Sequence, residues 1–65
     1  MTADLIASGF FRVEFRAETE AGLVWLRWYA AMWYWPSPNT VRTGPLGAAL
    51  AIREARKMGF TVVRI

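Results

Sequence analysis

A period of two in hydropathy constrains the fold more than any other feature of this sequence. Along residues 10–17 the side chains fall into two sets, with Phe11, Val13, Phe15 and Ala17 in one and Phe10, Arg12, Glu14 and Arg16 in the other. Successive side chains of a β-strand point to opposite faces of the sheet, so this pattern predicts a strand with one buried face. The polar segment that follows, with Gly22 at its end, predicts a turn into a second, antiparallel strand over residues 23–30.

The apolar segment from Leu23 to Trp35 allows two interpretations. Its β-branched and aromatic residues, and the glycine before it, favour a strand. Its Leu, Ala, Met and Arg residues are good helix formers, so a helix at Trp25 to Tyr29 is the competing interpretation, and it would contradict the pairing of this segment with residues 10–17. Pro36 and Pro38 are expected to end the element, and residues 36–44 are predicted to form a loop.

Pro45 and Gly59 bracket a predicted helix. Proline at the first helical position loses no needed hydrogen bond, Thr43 or Gly44 can cap, and Gly59 can adopt the left-handed conformation that ends a helix. One face of this helix is apolar and consists of Ala48, Ala51, Ile52, Ala55 and Met58. Residues 60–65 predict a short last strand. We therefore expect one domain over residues 1–65 of the α+β class, in the order ββαβ, with an antiparallel sheet of strand order 2-1-3 and one helix packed on one face.

The residue types present exclude most enzyme classes. The sequence contains no cysteine and no histidine. Disulfides, thiolate and imidazole nucleophiles and the usual zinc ligands are therefore absent. The serine and threonine hydroxyls have no candidate base to activate them. We expect no enzyme, no metal and no cofactor.

A sheet covered by a single helix leaves its second face open, and the expected strands place aromatic and arginine side chains there. The predicted partner-binding residues on this face are Arg12, Arg16, Trp25, Arg27 and Tyr29. Trp33 and Trp35, beside Pro36, are predicted either to insert into a pocket of the partner or to cover the end of the core. Tryptophan, tyrosine and arginine dominate the hot spots of protein interfaces, which predicts a protein partner that this chain inhibits or regulates. The same residues can stack on bases and contact phosphates, so a small nucleic-acid-binding module is the alternative. Since monomers seldom expose such a face, we also expect a homodimer or larger, with Trp25 or Tyr29 at the contact.

Positive charge is concentrated in the second half of the chain. The formal net charge is +3, and Arg53, Arg56 and Lys57 gather on the outer face of the predicted helix. These cations can contact phosphates or an acidic partner, although the helix dipole and solubility alone also favour them. The chain resembles small inhibitors encoded by phages or mobile elements, including anti-CRISPR-type proteins, in its length, its tryptophan content and its lack of catalytic groups. That resemblance implies inhibition of a protein partner.

The sequence also predicts where the protein acts. Asp4 stands where a signal peptide needs a cation, so no export signal is expected. The most apolar stretch, residues 23–35, is shorter than the roughly 20 apolar residues that cross a bilayer. We expect a cytoplasmic protein without membrane association.

Overall fold

The computed structural model describes residues 2–65, so Met1, the first residue of the expected domain, lies outside the description. The elements are β1 (Leu5–Ser8), β2 (Val13–Ala17), α1 (Glu20–Tyr29), β3 (Tyr34–Ser37), β4 (Thr40–Thr43), α2 (Pro45–Lys57) and β5 (Val62–Arg64). The strands form one mixed sheet in the order β3-β4-β2-β1-β5. β1 and β5 run parallel, whereas the other neighbouring strands run antiparallel. The α+β class and the packing of helix on sheet are confirmed.

The strand predicted over residues 23–30 is wrong, because this segment belongs to α1. Thr19 caps the helix by accepting a hydrogen bond from the Gly22 amide at 3.1 Å. Gly22 is buried in the helix and does not form a turn. A Cβ on Gly22 would lie 2.7 Å from the Asp4 carbonyl oxygen, so the glycine allows α1 to approach the chain just before β1. The apolar residues on both sides of the supposed strand follow a helical period, in which Trp25 and Leu26 share the buried face.

The expected antiparallel sheet of strand order 2-1-3 is also wrong, because the sheet has five strands and β5 runs parallel to β1. The predicted first strand is β2, and it lies between β4 and β1 instead of beside the last strand. Residues 36–44 are not a loop, because Tyr34–Ser37 and Thr40–Thr43 pair as a hairpin at one edge of the sheet. Pro36 is tolerated within β3 because an edge strand need not donate every amide to a neighbour.

The helix predicted between Pro45 and Gly59 is confirmed as α2. Pro45 lies at its first position, and Gly59 follows its end with a φ of 92°. The Gly59 amide donates to the Arg56 carbonyl and the Phe60 amide donates to the Ala55 carbonyl, both at 3.0 Å, which is the Schellman pattern of helix termination. The residues of α2 that are buried are Ala48, Ala51 and Ala55, and their small side chains let the helix lie close to the sheet.

Both helices pack on the same face of the sheet. Alternate residues of β1, β2, β4 and β5 are buried there, namely Leu5, Ala7, Val13, Phe15, Ala17, Val41 and Val62. Their neighbours along each strand point to the other face, which no element among residues 2–65 covers. The groove between the helices and the open face of the sheet are therefore among the surfaces that remain available.

Candidate functional site

A row of aromatic rings joins α1 to the segments on either side of it. The indole of Trp25 stacks on Tyr29 with 4.8 Å between centroids, and Tyr29 meets Trp33 edge-on at 5.8 Å. Phe60, which precedes β5, lies 5.8 Å from Trp25 on the other side. Trp25 is almost fully buried, at 8% exposure. Each ring of the row is held against its neighbours, so these aromatic side chains form a rigid layer.

Trp33 and Trp35 belong to the same layer and are half-buried. The indole nitrogen of Trp35 donates to the Ala30 carbonyl at 3.0 Å, which satisfies an acceptor at the C-terminal end of α1. Trp33 lies beside Gly47 of α2, since a Cβ on that glycine would be 3.4 Å from the indole ring. These two side chains brace the fold between α1, β3 and α2.

A groove of about 550 Å³ runs between the two helices. Trp25, Trp28 and Tyr29 line it from α1, and Glu54 and Met58 line it from the side of α2. Trp28 is 78% exposed and Met58 is 65% exposed, so both stand at the rim. The sequence prediction missed Trp28, because a strand puts it on the face opposite Trp25, whereas a helix puts it less than one turn away.

Further exposed apolar residues lie on or next to both helices, outside the lining of the groove. Val24 and Trp28 are one turn apart on α1, and Met32 follows the end of that helix. Leu46 and Leu50 are likewise one turn apart on α2. We call this set, together with Met58, the helix-layer apolar surface. Monomeric proteins rarely expose a large contiguous apolar patch unless it binds something.

The predicted cations of α2 have different surroundings. Glu54 lies 3.7 Å from Arg53 and 3.5 Å from Lys57, so both cations flank the groove that Glu54 lines. Arg56 turns to the sheet, where it donates to the Val62 carbonyl at 3.1 Å. Arg27 lies on α1 and donates to the Pro38 carbonyl at 3.4 Å, next to the turn between β3 and β4.

Arg12 and Arg16 are not on the aromatic side of the molecule. Both are exposed, Arg16 on the open face of β2 and Arg12 just before that strand. Arg16 pairs with Glu18 at 2.6 Å. The predicted surface of tryptophans and arginines on one sheet face therefore does not form, because the tryptophans lie in the helix layer.

Both edges of the sheet carry features that oppose the addition of another strand. At one edge, Pro36 of β3 has no amide proton to donate. At the other edge, the Arg56 guanidinium occupies the Val62 carbonyl of β5. An extended partner segment would have to displace these features, so the faces of the molecule are more accessible to a partner than its edges.

Asp4 connects three parts of the chain. Its carboxylate accepts a hydrogen bond from the Thr61 amide at 2.9 Å and another from the Thr19 hydroxyl at 2.7 Å. Both hydrogen bonds lower the pKa of Asp4 below its ordinary value of 3.8, and the one from Thr61 has the larger effect. The carboxylate thus joins the start of α1 and the start of β5 to the beginning of β1.

Comparisons with protein-family models, with curated proteins and with solved structures found no match to this chain. Across residues 2–65, no three side chains of the metal-binding types His, Cys, Asp or Glu cluster closely enough to hold a metal ion. Neither helix in that range has the length and apolar character needed to cross a bilayer.

Proposed function

We propose that this protein is a non-enzymatic cytoplasmic binding protein that inhibits or regulates a partner protein by occupying one of the partner's surfaces through the groove between α1 and α2. One observation carries the proposal. Trp28 is 78% exposed at the rim of a groove whose floor is the stacked pair Trp25 and Tyr29. Tryptophan is the residue type most enriched in interface hot spots, and a monomer gains nothing by leaving it in water.

The rigidity of the floor favours tight binding. Trp25 is held between Tyr29 and Phe60, with centroid distances of 4.8 and 5.8 Å. A partner side chain that enters the groove therefore meets rings that are already ordered, and little rotamer entropy is lost on their side of the interface.

Charge indicates the chemistry of the partner. Arg53 and Lys57 flank the groove, and their carboxylate neighbour Glu54 neutralises only one of them. The whole chain carries a net charge of +3. A partner with an apolar anchor and acidic residues beside it would complement this surface, and rim charges of this kind accelerate association and aid selectivity.

Geometry indicates the mode of binding. Two helices with an apolar groove between them accept an amphipathic helix from a partner, whereas Pro36 and Arg56 oppose strand addition at the sheet edges. A second copy of this chain would compete for the groove, but it would bring Arg53 and Lys57 against the same cations. The dimer predicted from the sequence stays a prediction.

Affinity capture with matched variants tests the proposal. Three baits are compared, namely the wild type, Trp28→Ala and Phe10→Ala. Each is used to capture proteins from lysate of the source organism, with and without nuclease treatment. Phe10 is the control because it is an exposed aromatic residue at the turn between β1 and β2, outside the groove. We expect a protein that the wild type and Phe10→Ala retain, that Trp28→Ala loses, and that nuclease does not release. Equal capture by all three baits would contradict the proposal.

A further inference from the structure

The open face of the sheet has a hollow of about 290 Å³ at the end where β4 leads into α2. Arg12, Tyr34 and Arg42 line it, together with Thr43 and Gly44. It lies on the other side of the sheet from the groove between the helices. A ligand of this hollow therefore does not compete directly with the proposed protein partner.

The cations of the hollow are largely available. Within residues 2–65, Arg12 forms neither an ion pair nor a side-chain hydrogen bond. Arg42 lies 3.6 Å from Glu14, which is opposite it on the neighbouring strand β2. Both side chains of that pair are well exposed, at 46% and 37%, so the pair contributes little and its guanidinium can also contact a ligand. Two arginines beside one carboxylate leave the hollow with a net positive charge, which favours an anionic ligand.

An aromatic ring stands beside these cations. Tyr34 is opposite Arg42 in the pairing of β3 with β4, and the Arg42 guanidinium lies 5.9 Å from the centre of the ring. Tyr34 is 64% exposed. One face of the ring is near the guanidinium, and the exposed remainder offers a planar apolar surface that a base can stack on.

From this arrangement we infer that the open sheet face binds single-stranded nucleic acid, with a phosphate between Arg12 and Arg42 and a base stacked on Tyr34. Stacking on Tyr34 needs a base that is not already stacked in a duplex, which favours a single strand. Arg16 lies farther along the same face, roughly 13 Å from Arg12 at the rise of a strand. A free phosphate cannot span that distance, whereas a polynucleotide can contact both ends.

Fluorescence anisotropy with a labelled oligothymidylate of about 12 nucleotides tests the inference, because single-strand sites cover about 4 to 16 nucleotides. The proteins are the wild type, Arg12→Ala, Tyr34→Ala, Tyr34→Phe and the control Arg53→Ala, which removes an exposed arginine on α2. We expect about tenfold weaker binding for Tyr34→Ala, since stacking contributes about 1–3 kcal/mol per base. Tyr34→Phe keeps the ring and should bind as the wild type does.

Salt dependence reports the phosphate contact separately. The slope of log K against log salt should become shallower in Arg12→Ala, by the amount that one phosphate contact contributes. In Arg53→Ala the slope should remain unchanged. Competition with inorganic phosphate and with polyglutamate, at matched ionic strength, should displace the oligonucleotide only weakly. Complete displacement by either competitor, no binding by the wild type, or equal weakening in Arg53→Ala and Arg12→Ala would overturn the inference. Equal affinity of Tyr34→Ala and Tyr34→Phe would overturn it as well.

Discussion

Trp25 and Tyr29 are one helical turn apart on α1, and their rings stack with 4.8 Å between centroids and 15° between planes. The stack makes Trp25 part of the core, where its side chain is 8% exposed. Trp28, in the same turn of α1, is 78% exposed. The two tryptophans of this turn therefore have different roles. Trp25 stabilises the fold and Trp28 is available for binding.

Replacing these tryptophans separates stability from binding. Trp25→Ala should lower the free energy of unfolding by about 3–5 kcal/mol, because it removes a large buried side chain and leaves a cavity. Trp28→Ala should change it by less than about 0.5 kcal/mol, as exposed substitutions usually do. Urea denaturation followed by circular dichroism measures both. Comparable losses in the two variants would show that Trp28 also stabilises the core.

Gly22→Ala should destabilise the protein although alanine is the better helix former by about 1 kcal/mol. The added Cβ would lie 2.7 Å from the Asp4 carbonyl oxygen, a backbone atom that cannot move without shifting the chain before β1. We expect a net loss of more than about 1 kcal/mol in the free energy of unfolding. A stabilised variant, as helix propensity alone predicts, would contradict the close approach of α1 to this segment.

The lowered pKa of Asp4 makes stability depend on pH in the acid range. The folded state favours the ionised carboxylate, because the Thr61 amide and the Thr19 hydroxyl donate to it. The ionised carboxylate therefore contributes to the free energy of unfolding, and this contribution is fully present above the ordinary pKa of 3.8. It is lost as the pH falls below 3.8 and passes through the lowered pKa of the folded state. Urea midpoints measured across this range should therefore decline more steeply in the wild type than in Asp4→Asn. Parallel declines would mean that Asp4 does not hold these hydrogen bonds.

The helix-layer apolar surface should also cause weak self-association when no partner is present. Sedimentation of the wild type should show association that grows with concentration, since exposed apolar patches tend to be buried. Trp28→Ala should sediment as a 7.4 kDa monomer under the same conditions, whereas Phe10→Ala should behave as the wild type does. If Trp28→Ala still associates, the dimer predicted from the sequence uses another surface.

Local signals make part of the fold predictable. Pro45 and Gly59 mark the ends of α2 by backbone chemistry that depends on no distant residue, and the strict alternation of residues 13–17 marks β2. The segment around Trp25 is ambiguous because large aromatic residues occur in buried strands as well as in buried helix faces. The Thr19 cap is the local signal that distinguishes the two.

The candidate site is less predictable than the fold class, because it depends on which strands pair and on which strand lies at the edge of the sheet. The exposure of Arg12 agrees with its place in the alternating pattern, but its aromatic neighbour there is Tyr34, which pairing of β3 with β4 brings beside Arg42. That hairpin escapes prediction because Pro36 argues against a strand unless the strand lies at an edge. Edge position is a property of the whole sheet, and the local sequence does not encode it.

The parallel pairing of β1 with β5 bears on how the chain is made in the cell. Leu5 lies opposite Val62, so the sheet joins the beginning of the described chain to its last strand. During synthesis, β1 precedes β5 by almost the whole length of the described chain, so the edge of β1 that faces β5 stays unpaired until β5 is made. Asp4 likewise has no Thr61 amide to bind until then. Until β5 has been made and has left the ribosome, the edge of β1 that it covers is open, and an unpaired strand edge is a surface that another chain or a chaperone can bind.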